Sequence, residues 1–221
     1  MKRPQIITVE GNIGAGKSTL LENMKERYKD RHDILFLQEP VDTWSQIKEN
    51  GKTILELFYE NKLHYSFPFQ VLAYTTRLRI IRDSIEKAME SRIIQTIVME
   101  RSLEADRKIF AQMLFDDQLI DSCNFDIYKM MSDDGLKYYS ADKIIWLNTK
   151  PNECLNRIRR RKREGEENID IHYLNRCDAY HTNWLSDSAV HPNGPSPKSI
   201  FVIENDMVDW GNLELYIQDF V

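Results

Sequence analysis

The sequence predicts an α/β fold built on a five-stranded parallel sheet with helices on both faces. Three observations carry the prediction: a glycine-rich segment between a strand pattern and a helix pattern, five short apolar runs, and helical periodicity in the long intervals between most of those runs. A chain of 221 residues, 42% hydrophobic and 29% charged, has enough apolar side chain for one substantial core, so a single domain over residues 1–221 is expected.

The first run, Gln5-Ile-Ile-Thr-Val-Glu10, is β-branched and apolar, as a buried strand requires. Gly11, Asn12, Ile13, Gly14, Ala15, Gly16, Lys17 and Ser18 then satisfy the pattern G-x-x-x-x-G-K-[ST], and Thr19 opens a run of helix formers that reaches Arg27 without an internal Gly or Pro. Glycines let such a loop wrap closely around phosphates with its amide N–H groups pointing inward. Lys17 supplies positive charge to the outer phosphates, Ser18 a hydroxyl for Mg²⁺, and the helix start a favourable dipole. A nucleoside triphosphate is therefore the expected ligand.

The remaining strand runs are Asp33–Gln38, Thr96–Glu100, Lys143–Asn148 and Ser199–Glu204. Helices are expected over 66–90, near 104–117, and over 151–165 and 170–187. Within 66–90, Val71, Tyr74, Leu78 and Ile81 recur at helical spacing and are expected to face the core, while Gln70, Ala73 and Arg77 form a second stripe. Residues 187–198, with three Pro, two Ser and a Gly, read as an exposed, mobile loop. Periodicity does not give the order of strands in the sheet.

A net charge of −5 argues against a broad nucleic-acid-binding surface. The three cysteines, Cys123, Cys154 and Cys177, are widely spaced with no C-x-x-C pair, which fits free thiols in a reducing compartment. No apolar stretch approaches membrane-spanning length, and the first strand run begins within a few residues of Met1. A cytoplasmic protein with no membrane association and no targeting peptide is expected.

In parallel α/β sheets the ligand sits outside the carboxyl ends of the strands. Two of those ends carry a carboxylate here, Glu39 after the second strand run and Glu100 at the end of the third. Beside a triphosphate site, one carboxylate can take a proton from an attacking hydroxyl while the other helps to hold Mg²⁺. Residues 157–163 place six cations in seven positions, followed by Glu164, Glu166 and Glu167. Such a run reads as a solvated helix face or a nucleic-acid-binding tract. With Leu155 and Ile158 to anchor one face, it also suits a lid closing over phosphates, where guanidinium groups meet a moving phosphoryl group.

These residues together resemble the deoxynucleoside kinases of the deoxycytidine, deoxyguanosine and mitochondrial-type thymidine kinase group, over most of the chain. The carriers are Glu10–Thr19, Glu39-Pro-Val-x-x-Trp44, Phe69-Gln70, Glu100-Arg-Ser102, Asp106-Arg-x-x-Phe110, and Arg157–Arg163 leading to Tyr173-Leu174. The resemblance implies a P-loop kinase fold with an Arg-rich lid at about 157–168, ATP as phosphate donor, Mg²⁺ as cofactor, and transfer to the 5′-hydroxyl of a deoxynucleoside in nucleotide salvage. It implies that Glu39 is the general base with Arg101 beside it, and that Ser18 and Glu100 serve Mg²⁺. Gln70 would read the base edge, Phe69 stack on the base, Trp44 wall the pocket, and Phe110 belong to the substrate-binding set. Tyr59 and Glu166 would bind the sugar 3′-hydroxyl, and Arg161 and Arg163 the transferring phosphate.

Ala73, Arg77 and Asp106 look like the deoxycytidine and deoxyguanosine kinase arrangement, in which an Arg–Asp pair fills the space that a thymine methyl needs. Deoxycytidine and purine deoxynucleosides are thus expected ahead of thymidine. The resemblance also implies a homodimer formed through helix contacts, although the stretch between Phe110 and Lys143 departs from the family's aromatic-rich pattern. Two other readings stay open. A nucleoside monophosphate kinase of the thymidylate kinase type shares the loop, the Glu-Pro and the lid, but typically continues with glycines where Val41-Asp42-Thr43-Trp44 stands here. A nucleotide-gated nucleic-acid-binding protein would instead use the basic run on phosphate backbone.

Overall fold

The run from Gln5 to Gly11 is buried at every position and forms the central strand, β1. The structure, a computed structural model, describes residues 3–186, 199–204 and 207–218. After the glycine-rich loop comes α1 (Lys17–Arg27), and then β2 (Ile34–Leu37), shorter at both ends than the apolar run around it. Next are a short helix α2 (Val41–Ser45), an antiparallel hairpin of β3 (Lys48–Glu49) and β4 (Lys52–Thr53), and α3 (Ile54–Glu60). Thr53 and Glu56 form a reciprocal capping box at the start of α3. Helix α4 (Lys62–Ser91) extends the expected 66–90 segment in both directions and precedes β5 (Thr96–Glu100).

The helix expected near 104–117 is interrupted. It comprises α5 (Leu103–Ala105), a π-helical turn over Asp106–Ala111, and α6 (Gln112–Asp116). The wider turn lies where Asp106 and Phe110 face the site described below, a common place for such bulges. Then follow α7 (Ser122–Tyr139), β6 (Lys143–Asn148), α8 (Pro151–Arg161), α9 (Ile171–Ser186), β7 (Ser199–Glu204) and α10 (Trp210–Gln218). The helix expected over 151–165 stops four residues early because Lys162 turns into a left-handed conformation at φ 52°. The loop expected over 187–198 lies outside the described residues.

The main sheet has the order β2-β5-β1-β6-β7 and every pair in it is parallel, as expected. Register places Val9 opposite Glu100 and Gly11 opposite Leu147, so the loop after β1 emerges beside the carboxyl ends of both neighbours. Gln70, Ala73 and Arg77 are all buried on α4, as their stripe requires. Tyr74 and Ile81 are buried too, whereas Val71 and Leu78 are half-buried. No helix among the described residues is long and apolar enough to cross a membrane.

Helix α7 was not evident from the apolar pattern because its buried face contains Ser132 and Gly135 beside Phe125 and Tyr128. The small residues admit Tyr74 of α4, whose hydroxyl donates to the Ser132 carbonyl at 2.8 Å. A Cβ on Gly135 would lie 2.2 Å from that hydroxyl. Alanine is favoured over glycine in a helix by about 1 kcal/mol, but the clash outweighs it. Gly135→Ala should destabilise the fold by about 1–3 kcal/mol in urea denaturation; a stabilised variant would mean that the two helices separate freely.

Candidate active site

The phosphate loop depends on glycine at two close approaches. Gly11 has φ 145° and a Cβ there would sit 2.8 Å from the Leu147 carbonyl oxygen; Gly14 has φ 79° and its Cβ would meet the Cys154 carbonyl at 2.6 Å. The loop is braced from outside by Asn12, whose Nδ2 donates to Leu174 O at 2.9 Å. The Ala15 carbonyl accepts from Thr149 Oγ1 at 3.2 Å and from Arg157 Nη1 at 2.9 Å. Gly16, at φ 100°, caps α1, and Thr19 lies exposed in its first turn.

Lys17 is buried and donates from Nζ to Asn12 O at 2.9 Å. Burial, then the nearby Arg101 charge, lower its pKa to about 8. Ser18 Oγ lies 3.0 Å from Glu100 Oε1. This hydroxyl and carboxylate are hard oxygen donors of the kind Mg²⁺ takes together with phosphate oxygens and water, so the residues present fit that ion. Among the described residues no group of three or more His, Cys, Asp or Glu side chains forms a dedicated metal cage.

One cavity brings together most of the residues expected from sequence, while Gly11, Asn12, Ala15, Gly16 and Thr19 do not line it. Ile13, Gly14, Lys17 and Ser18 line it with Glu39, Trp44, Tyr59, Phe69, Gln70, Ala73, Arg77, Glu100, Arg101, Asp106, Phe110, Arg161, Arg163 and Glu166. At its apolar end Trp44 meets Phe69 edge to face at 5.5 Å, and its Nε1 donates to Thr76 Oγ1 at 2.9 Å. Phe58 stacks on Phe69 at 4.9 Å. The Gln70 side chain is buried in the cavity wall and makes no hydrogen bond to the described residues, leaving its donor and acceptor for a ligand. Val41, Leu55 and Phe58 also line the cavity and were not read from sequence; Phe58 lies beside Tyr59 on α3, a helix the apolar pattern did not reveal.

Arg77 holds more than the single partner expected for it. Its Nε donates to Asp106 Oδ2 at 2.8 Å, Nη1 to the Glu100 carbonyl at 3.1 Å, and Nη2 to Glu39 Oε1 at 2.8 Å. The expected Arg–Asp pair is therefore part of a triad that includes the candidate base. Arg101 approaches the same Glu39 oxygen, Nε to Oε1 at 3.5 Å, while its guanidinium lies 4.5 Å over the Phe110 ring. Arg101 leaves β5 at φ 65°, a left-handed conformation unusual for a non-glycine residue and found where a site imposes it. Both guanidinium groups converge on Oε1, and no described residue donates a hydrogen bond to Oε2.

Burial disfavours charge on Glu39, but Arg77, Arg101 and Lys17 outweigh it and hold the carboxyl at about 2. At the lid end of the cavity, Glu166 is buried and accepts from Arg161 Nη2 at 2.6 Å and Arg163 Nη1 at 3.3 Å. Burial, and then the Glu166 charge, raise the Tyr59 phenol well above its ordinary value, so it stays protonated as a donor. Gly165, at φ 90°, brings this turn against Glu56 of α3. The lid expected over 157–168 is thus helix as far as Arg161 and a turn beyond it. Leu155 and Ile158 anchor the helical part, while Arg159 and Arg160 face solvent.

This combination of a parallel sheet, phosphate loop, strand-end carboxylates and arginine lid defines a nucleotide-dependent phosphotransferase. The sequence family described as deoxynucleoside kinase matches residues 7–217. The chain belongs to that family. It is 28% identical over 223 residues to deoxycytidine kinase 2 of Gallus gallus, covering 93% of this chain and 83% of that protein. It is 32% identical over 187 residues to a probable deoxycytidine kinase of Fowlpox virus (strain NVSL), covering 84% and 73%. Against the mitochondrial deoxyguanosine kinase of Xenopus laevis it is 25% identical over 212 residues, covering 89% and 79%.

The shift at Glu39 is also a statement about stability. A carboxyl at about 2 in the folded chain and near 4.5 when unfolded stabilises the fold above pH 4.5, and that stabilisation is lost as pH falls toward 2. Glu39→Gln should therefore unfold more easily than wild type by about 2–3 kcal/mol at pH 7, with the gap roughly halved at pH 3. Denaturant titrations at both pH values measure it, and an unchanged gap would exclude the shift.

Proposed function

We propose that this chain transfers the γ-phosphoryl group of ATP, with Mg²⁺, to the 5′-hydroxyl of a deoxynucleoside in nucleotide salvage, taking deoxycytidine and purine deoxynucleosides ahead of thymidine. The Glu39 carboxylate carries the reading. One oxygen is clamped by two guanidinium groups and the other is free, in a cavity that joins the phosphate loop to an aromatic pocket. In this reading Glu39 Oε2 accepts the 5′-hydroxyl proton as that oxygen attacks the γ-phosphorus, and the bond to the β–γ bridging oxygen breaks to release ADP. The clamp costs basicity, but it fixes the orientation of the acceptor oxygen.

Lys17, Arg101, Arg161 and Arg163 supply the positive charge that the moving phosphoryl group needs. Arg161 and Arg163 rest on Glu166, and a bound triphosphate competes for them with a higher charge. Glu166 and Tyr59 then address the sugar 3′-hydroxyl. Mg²⁺, when held by Ser18 and Glu100, neutralises charge on the β- and γ-phosphates. A homodimer in the cytoplasm is part of the proposal; Ile127 and Met130 on α7 are exposed apolar side chains suited to a helix contact.

Glu39→Gln tests the chemistry. The substitution should lower kcat by about 10²–10⁴, the usual range for loss of a general base, with little change in nucleoside binding. A kcat within about threefold of wild type would remove Glu39 from that role.

Substrate choice rests on Gln70, Arg77 and Asp106 beside the base. The Arg77–Asp106 pair is buried and leaves little room for a 5-methyl group, and displacing it would strand buried charge. With all four deoxynucleosides, thymidine should give the lowest kcat/KM. Arg77→Met with Asp106→Ala should raise the thymidine to deoxycytidine ratio, with Arg101 still holding Glu39. A wild-type preference for thymidine, or an unchanged ratio in the double variant, would make the pair a structural ion pair only.

A further inference from the structure

His181 on α9 is a fully buried titratable side chain that none of these steps uses. Its Nδ1 lies 2.7 Å from the Cys177 carbonyl oxygen. A carbonyl only accepts, so Nδ1 carries the proton in this pair. A second proton is excluded by burial first and then by the cations that face the ring, Arg101 and Lys17, which together hold the imidazole down to about 3. Nε2 is left with a bare lone pair, buried and with no hydrogen-bond partner among the described residues.

A complementary orphan belongs to Arg101, the charge that acts most strongly on the ring. Arg101 Nη1 is buried without a partner, although its Nε faces Glu39 and its Nη2 lies 3.5 Å from the Gly11 carbonyl. Phe110 packs against both residues, 4.5 Å beneath the Arg101 guanidinium and edge to face with His181 at 6.3 Å. One group is an acceptor lacking a donor and the other a donor lacking an acceptor, and leaving both buried and unpaired is costly.

We propose that His181 is a positioning residue for Arg101, its neutral Nε2 accepting from one water that in turn accepts from Arg101 Nη1–H, so that the guanidinium is held square to Glu39. The Gly11 carbonyl acts on the imidazole as well as on Arg101. A water among the three groups would donate to Nε2 and to Gly11 O and accept from Nη1, which uses its hydrogen-bonding capacity well. His181 in this way ties α9 to the left-handed Arg101 and to the first glycine of the phosphate loop.

The inference rests on the proposed role of Arg101 beside the general base, so Glu39→Gln is measured in parallel. His181→Phe keeps an aromatic ring against Phe110 but removes both nitrogens, whereas His181→Gln returns a hydrogen-bonding group near the Nε2 position. His181→Phe should lower kcat about tenfold with nucleoside KM within about twofold, and His181→Gln should recover to within about threefold of wild type. In the wild-type protein, long-range ¹H–¹⁵N spectra should give a protonated Nδ1 and an unprotonated Nε2, unchanged between about pH 5 and 8. That measurement decides the tautomer even if His181→Phe fails to fold. A protonated Nε2, wild-type kcat in His181→Phe, or equal losses in both variants would overturn the proposal. If Glu39→Gln loses kcat while His181→Phe does not, only the His181 role falls; if Glu39→Gln stays active, the site reading itself falls.

Discussion

The guanidinium of Arg77 is the buried charge on which the site depends. It is only 2% exposed, and its donors reach Asp106 in the π-helical turn, the Glu100 carbonyl at the end of β5, and Glu39 beyond β2. A buried guanidinium without carboxylates would be prohibitive, and two buried carboxylates without it equally so; removing one member of such a set typically costs about 3–5 kcal/mol. The arrangement fixes α4, the π-helical turn and two strand ends relative to one another. The residue proposed to face the base edge also holds the candidate proton acceptor, so that in this reading recognition and chemistry share one rigid fork.

Around that fork the charges are arranged in graded exposure. Glu39 is clamped on one oxygen and open on the other, Lys17 is buried against the loop backbone, and of the lid arginines on Glu166 Arg163 is half-buried and Arg161 exposed. The deepest groups have their positions set by the fold before any ligand arrives, while the outer ones rest on a carboxylate that a phosphate can replace. Such grading suits phosphoryl transfer, where positioning and electrostatics do most of the catalytic work. The left-handed backbone at Arg101 is a local cost accepted at that same point.

Much of this was legible in the residues. The glycine-rich loop, the strand runs and the stripe of Gln70, Ala73 and Arg77 are local patterns, each set by backbone geometry within a few turns or a few residues. Helix α7 was not legible, because Ser132 and Gly135 replace apolar residues where Tyr74 enters. Helix α3 and the hairpin before it were missed for a related reason. They are short, and their stability comes from a capping box and from packing of Phe58 against Phe69 rather than from a long periodic pattern. The lid was legible as a cationic run, but its break at Lys162 was not.

By itself the sequence determined the phosphate loop, the identity of the strand-end carboxylates and the face of α4 that lines the cavity. Tertiary structure decided the strand order β2-β5-β1-β6-β7, the third bond of Arg77, and the packing of both His181 and Arg101 against Phe110. Arg77 and Glu39 are 38 residues apart, and Ser18 and Glu100 are 82 apart. No local periodicity encodes such a pairing. It exists because sheet register and helix packing bring the ends of long side chains within hydrogen-bond distance, and because a buried charge left without its partner would destabilise the fold that creates the site.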